Sequence, residues 1–217
     1  MEAEHTRPED IERTSMRIIE EELRSRGLTV SQETKAVVKR VIHTTADFDY
    51  VETLRFTPGA VEKGIRACKS GTVFVTDTNM ARAGINKAAL ARLNSEVHCF
   101  MADAEVAAEA KERGTTRAVV SMERALRLYP DAILAVGNAP TALLRIADLL
   151  EEGARPALVI GVPVGFVNVV ESKERLLKTC GKYGVPAIVA LGRKGGSNVA
   201  AAVCNSLLYT AEGSRAP

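Results

Sequence analysis

Arg40 and His43 stand about one helical turn apart in RVIHTTADFD (40–49), with Asp47 and Asp49 close behind. An imidazole titrates near neutrality, so His43 is suited to general acid or base work, and a guanidinium beside it can hold an anionic ligand. The same residues also fit a solvated polar face, or a metal site with His43 and Asp47 at i and i+4 that would need further ligands. The other two histidines do not supply them: His5 falls in an expected N-terminal tail and His98 in an expected buried strand.

A second stretch with chemical potential is GRKGGSNVAAAVCNSLL (192–208). It joins Arg193 and Lys194 to Gly195, Gly196 and a capping Ser197, a composition that resembles an anion cradle. It is not a Walker A loop, in which Lys and Ser/Thr directly follow the last glycine, and no strand is followed by GxGxxG. The anion expected there is a carboxylate. In GNAPTALLRIADLLEEG (137–153), Gly137 and Asn138 form a turn, Pro140 opens a helix and Gly153 closes it, so free N–H groups at the helix start could take up an anion.

These residues must be positioned by a framework, and the apolar pattern describes one. Five short apolar runs read as strands: TVFVT (72–76), VHCFM (97–101), AILAV (132–136), ALVIGV (157–162) and VPAIVAL (185–191). Stretches of helical length separate them. Strands apolar on both faces and joined by helices imply a mainly parallel sheet covered on both sides, hence an α/β fold: a three-layer αβα sandwich around a five-stranded sheet. Three helices precede the first strand, over about 8–26, 31–47 and 58–69. In the second, Val37, Val38, Val41 and Ile42 form one stripe while Arg40, His43 and Asp47 line the other side.

Ligands of such sheets bind where strand ends meet helix starts. Besides the two loops above, DTNMARAGI (77–85) places Asp77 and Asn79 at a helix start. PVGFVNVVESKE (163–174) offers Gly165 for close backbone approach, and Glu171 and Ser172 as caps.

The totals exclude several classes. A net charge of +2, no Trp and 4% aromatics leave little to attract or stack nucleic acid. No apolar run reaches the roughly 18 residues of a membrane span, and the acidic amphipathic start lacks the order of a signal peptide, so a cytoplasmic protein without a membrane role is expected. Cys68, Cys99, Cys180 and Cys204 are too scattered for a zinc site and read as reduced core residues. A length of 217 residues without a linker or composition shift suggests one domain over 1–217, its N-terminal helices at about 8–69 and its sheet with crossover helices at about 70–210.

Taken in order, ERTSMRIIEEE (12–22), RVIHTTADFD, VFVTDTNMARAGI (73–85), GTTRAVVSMERA (114–125), VGNAPTALLRIADLL (136–150), ALVIGVPVGFVNVVESKERL (157–176) and GRKGGSNVAAAVCNSL (192–207) resemble the precorrin-8X methylmutase family, which includes cobalt-precorrin-8 methylmutases. GNAPTAL, PVGFV with ESK, and GRxGGS in one chain are highly specific. The resemblance implies a flavodoxin-like fold and an isomerase of cobalamin biosynthesis. That enzyme moves a methyl group from C-11 to C-12 of the macrocycle by a 1,5-sigmatropic shift, giving hydrogenobyrinic acid or its cobalt form, cobyrinic acid.

It implies no external cofactor, any cobalt being part of the substrate, and a homodimer with the site near the interface. It assigns the catalytic role to His43, which would protonate the ring-C nitrogen and recover the proton. Arg40 and Arg117 match family arginines; Ser15, Thr116, Asn138, Thr141, Arg193, Gly195, Gly196 and Ser197 are the remaining candidates for holding the carboxylate arms. HTTADFD departs from the sequence of the cobalt-free branch and leans toward the cobalt-containing substrate. Two rival readings are a nucleotide- or phosphate-binding α/β enzyme using GRKGGS, and a tetrapyrrole carrier without catalysis.

Overall fold

The first described helix, α1 (Pro8–Ser25), carries Asp10 near its positive end and stops before Gly27, whose φ of +66° suits a glycine. A computed structural model describes residues 8–213; His5 and the tail beyond Gly213 lie outside them. Helix α2 (Lys35–Thr45) ends where Ala46 turns left-handed and donates its N–H to the Ile42 carbonyl. It is therefore shorter than the 31–47 expected from sequence. Asp47 lies past its end, so the i,i+4 pair of His43 and Asp47 does not form on one helix.

A short α3 (Tyr50–Thr53) leads into β1 (Leu54–Phe56), and α4 (Ala60–Lys69) into β2 (Val73–Thr76). After α5 (Asn79–Gly84) and α6 (Lys87–Arg92) come β3 (Glu96–His98), α7 (Ala104–Glu112), α8 (Arg117–Leu128) and β4 (Ile133–Val136). The chain continues through α9 (Pro140–Glu151), β5 (Leu158–Gly161), α10 (Val169–Tyr183), β6 (Ala187–Ala190) and α11 (Ser197–Glu212). The sheet order is β1-β6-β5-β4-β2-β3, with every pair parallel except β1–β6. Counted along the chain, the five parallel strands follow the flavodoxin-like order 2-1-3-4-5.

The sixth strand, β1, is the departure from the five expected. Its three residues are too few to show a period of two, and it is held as an edge by pairing Leu54 with Ala190 and Phe56 with Ile188. His98 ends the opposite edge strand. It is half-exposed rather than buried, bonded to Glu96 at 3.0 Å and stacked on Tyr129 at 5.2 Å.

Alternate residues of the strands enter two cores. Phe74, Ile133, Ile160 and Ile188 face α4, α5 and α11, while Val75, Leu134, Val159 and Val189 face α7 to α10. Helix α11 is apolar nearly all round because it is enclosed: the sheet lies on one side and α2 packs on the other. This places α2, with His43, against α11 near the ligand-binding end of the sheet. All four cysteines are free and buried, and burial pushes the Cys68 and Cys180 thiols up to about 12.

Candidate active site

Helix α2 buries Val37, Val38, Val41 and Ile42 against α11 and leaves Arg40 and His43 half-buried at a cleft. That cleft, about 260 Å³, lies between α2, the end of α5 and α11, and Asn198, Asn205 and Tyr209 complete it from α11. Its floor is tight. A Cβ on Gly84 would come within 2.9 Å of the Ala201 methyl, so the two helices meet there only because position 84 is glycine.

Ser15 reaches from α1 to place its Oγ 2.8 Å from His43 Nδ1. With Nδ1 engaged, Nε2 is the ring nitrogen left for a ligand, and the Ser15 hydroxyl can adapt as donor or acceptor as the ring changes protonation. Arg40 forms a 2.8 Å ion pair with Glu12 of α1, and its guanidinium lies 5.1 Å from the centre of the Tyr209 ring. Burial pulls the His43 imidazole below its ordinary 6.5, Arg40 pulls in the same direction and Glu12 opposes them. Burial and Arg40 together therefore favour the neutral imidazole in the free protein.

Of the loops at the strand ends, the one after β6 reaches the cleft, through Asn198. After β6, Gly196 donates its N–H to the Val162 carbonyl at 2.8 Å, and a Cβ on Gly195 would collide with the Val162 and Pro163 carbonyl oxygens. Ser197 opens α11 and pairs its hydroxyl with that of Thr78 at 2.8 Å, rather than capping the helix; the cap position is Gly196, at φ +135°. Gly137 packs on the Gly196–Ser197 backbone, where a Cβ would come within 2.9 Å. Asn138, next to it, is exposed. Further along, the Thr116 and Thr141 hydroxyls meet at 3.0 Å, with Arg117 exposed beside them at the start of α8.

A sequence model of the precorrin-8X methylmutase family matches residues 10–210. A cobalt-precorrin-8 methylmutase of Priestia megaterium is 43% identical over 94% of this chain and 89% of its own length. The one from Salmonella typhimurium is 43% identical over 93% and 95%. Among solved structures, the precorrin-8x methyl mutase of Thermus thermophilus superposes with a TM-score of 0.84 at 40% identity, covering 94% of this chain and 98% of that one. The chain belongs to the precorrin-8X methylmutase family. It is an isomerase of corrin-ring biosynthesis that acts by methyl migration.

Several loop expectations are corrected in this methylmutase. The N–H groups before α9 are not open to an anion, because the Asp77 carboxylate accepts all three: Gly137 at 2.8 Å, Asn138 at 2.8 Å and Ala139 at 2.7 Å. Lys194 is not free for a ligand either. It pairs at 2.6 Å with both Asp47 and Asp49, which gives those two aspartates a role in tying the β6–α11 loop to the end of α2. Asp47 is burdened by burial, yet the Lys194 hydrogen bond and the Asp49 N–H bring it below the usual carboxylate value.

Arg193 remains exposed, its guanidinium 5.4 Å from the centre of the exposed Phe166 ring. Before α10 the cap position is Asn168, and Ser172 bonds back to the Val169 carbonyl instead of capping. Among the described residues no cluster of three or more His, Cys, Asp and Glu is arranged to hold a metal, and no helix is long and apolar enough to cross a membrane.

Glu12, Lys173 and the polar stripe of α11 are not singled out by the sequence, and Asp77 reads there only as a residue at a helix start, without its hold on residues 137–139. The stripe left a legible sign: Asn198, Asn205 and Tyr209 recur at spacings of seven and four in an otherwise apolar helix, which puts them on one face.

Proposed function

We propose that this methylmutase converts cobalt-precorrin-8 to cobyrinic acid with His43 as the only proton-transfer group, in the cytoplasm, as a homodimer and without an added cofactor. The cobalt form is favoured by HTTADFD and by the name shared by the Priestia and Salmonella relatives. The observation that carries the mechanism is the 2.8 Å contact of Ser15 Oγ with His43 Nδ1 at the edge of the cleft. Once protonated, His43 directs Nδ1–H to Ser15 and presents Nε2–H to the ring-C edge of the conjugated macrocycle: to the ring-C nitrogen where it carries no metal, and to the conjugated carbons beside it where cobalt holds the nitrogen lone pairs. A proton delivered to that edge draws electrons from the conjugated system and favours migration of the methyl group, after which Nε2 recovers the proton.

A neutral resting imidazole suits this role. Its lowered pKa makes the imidazolium a stronger acid, and a ligand bearing several carboxylates raises the protonated fraction as it binds. Arg117, Arg193, Asn138, Thr116, Thr141 and Ser197, with the N–H of Gly195, are the donors for the arms, while Gly196, its own N–H held by the Val162 carbonyl, shapes the loop that presents them. Arg40 joins them when an arm exchanges with Glu12. Ser15 acts through His43.

Purified protein should convert cobalt-precorrin-8 to cobyrinic acid with nothing else added, and size-exclusion light scattering should give twice the chain mass. Binding of cobyrinic acid without turnover of the substrate would support the carrier reading instead. Thermal stabilisation by ATP or NAD with no spectral response to corrinoid would support the nucleotide-binding one.

Glu12 gives a pH test. Its charge opposes the fall in the His43 pKa, so Glu12→Gln should lower that pKa further. Activity that depends on imidazolium is lost as pH rises through the pKa, so the alkaline limb of kcat/KM should move to lower pH in the variant. A limb that stays in place would separate Glu12 from His43.

A further inference from the structure

Among the described residues, the charged side chains buried in the fold are Lys39, Asp77 and Lys173. Lys39 has a counter-charge, Glu20 at 3.2 Å. Asp77 is 1% exposed and makes no ion pair with any described residue; its carboxylate oxygens accept backbone N–H groups only. A buried carboxylate without a cation is costly, and here three short hydrogen bonds offset that cost in part; burial still pushes the Asp77 carboxyl above its ordinary value.

The location of Asp77 gives this arrangement a purpose. It follows β2, and its three donors follow β4, so it sits between the first and third parallel strands, where the strand order reverses and α/β sheets hold their ligands' anions. In this chain the anion at that point belongs to the protein. It closes the position to phosphate and fixes residues 137–139. That turn in turn presents Asn138, leads into Thr141, and packs through Gly137 on the Gly196–Ser197 backbone from which α11 carries Asn198 to the His43 cleft. The neighbouring Thr78–Ser197 hydroxyl pair joins the same strand end to the same helix.

We propose that Asp77 is a positioning residue for the methylmutase reaction: a resident anion that holds the β4–α9 turn and the start of α11 in the geometry that receives the macrocycle's arms. This rests on the reading that Asn138, Thr141 and Ser197 meet the substrate. Asp77 itself touches no reacting atom. Its loss should therefore raise KM and weaken product binding while kcat at saturation changes little.

Asp77→Ala removes one carboxylate and leaves the three N–H donors, and formate is that same carboxylate without its link to the chain. Cobyrinic acid binding, followed in the visible spectrum, should weaken by roughly tenfold or more in Asp77→Ala. Formate should restore it and raise the variant's melting temperature, with chloride at equal ionic strength ineffective and wild type indifferent to both. Wild-type affinity in the variant would overturn the proposal, as would a weakened variant that formate does not restore.

Should alanine prevent folding, Asp77→Asn keeps the shape and replaces one acceptor by a donor. A folded Asp77→Asn protein should show raised KM with kcat within about threefold, and a wild-type KM would overturn the proposal. Wild-type protein that fails to bind cobyrinic acid overturns the functional reading and this proposal together, whereas normal wild-type binding with an unaffected variant overturns only the role of Asp77.

Discussion

His43→Ala is expected to lower turnover of cobalt-precorrin-8 by roughly 10²- to 10⁴-fold, the range that a positioned acid or base contributes. Binding of cobyrinic acid should stay within about threefold of wild type, because the arms are held by groups on α8, α9 and the β6–α11 loop rather than by the imidazole. The split distinguishes proton transfer from binding: a group used only in the transition state lowers kcat and kcat/KM together. Folding should not confuse the result. His43 is half-buried at the edge of a cleft, and its removal leaves the Ser15 hydroxyl able to bond with water. The residual rate should also lose the pH dependence attributed to imidazolium. Single-turnover spectra of substrate with each protein would measure both effects, and a variant that turns over normally would end the assignment.

The helical spacing that separated Arg40 and His43 from Val37, Val38, Val41 and Ile42 survives in the fold, because α2 is amphipathic in its own right and needs no distant contact to show its two faces. The five parallel strands were legible for a similar reason: a strand buried on both sides is a continuous apolar run. What sequence did not show depends on pairs far apart in the chain. Asp77 reads as a residue at a helix start until the crossover brings it to residues 137–139, and Arg40 reads as a free cation until α1 folds back and delivers Glu12. Lys194 belongs with Asp47 and Asp49 by the same logic, across 147 and 145 residues of chain. β1 was lost for a local reason, since three residues carry no periodicity.

Lys173→Met is expected to change folding stability little at pH 7 and yet weaken cobyrinic acid binding by roughly tenfold. Lys173 is fully buried in α10, and its ammonium donates to the Gly192 and Lys194 carbonyls at 2.8 Å each, from beneath the loop whose surface carries Arg193 and Gly195. Burial pulls its pKa from 10.5 down to about 8, which corresponds to about 3 kcal/mol disfavouring the charged form in the folded state. Two hydrogen bonds from a charged donor contribute about 1.5 kcal/mol or more each, so losing the charge and losing the bonds offset one another in stability.

They do not offset one another in position, because methionine fills the volume and leaves both loop carbonyls without a donor. The sign of the pH effect follows from the lowered pKa. Between about 8 and 10.5 the unfolded chain binds more protons at this residue than the folded one, so the Lys173 contribution to stability rises with pH across that window, reaches its full size above 10.5 and is absent well below 8. Denaturant midpoints of wild type minus Lys173→Met should therefore grow from pH 8 upward, with corrinoid titrations run on the same samples. A flat difference would mean that Lys173 is solvated in solution, and unchanged corrinoid affinity would mean that the loop keeps its geometry without it.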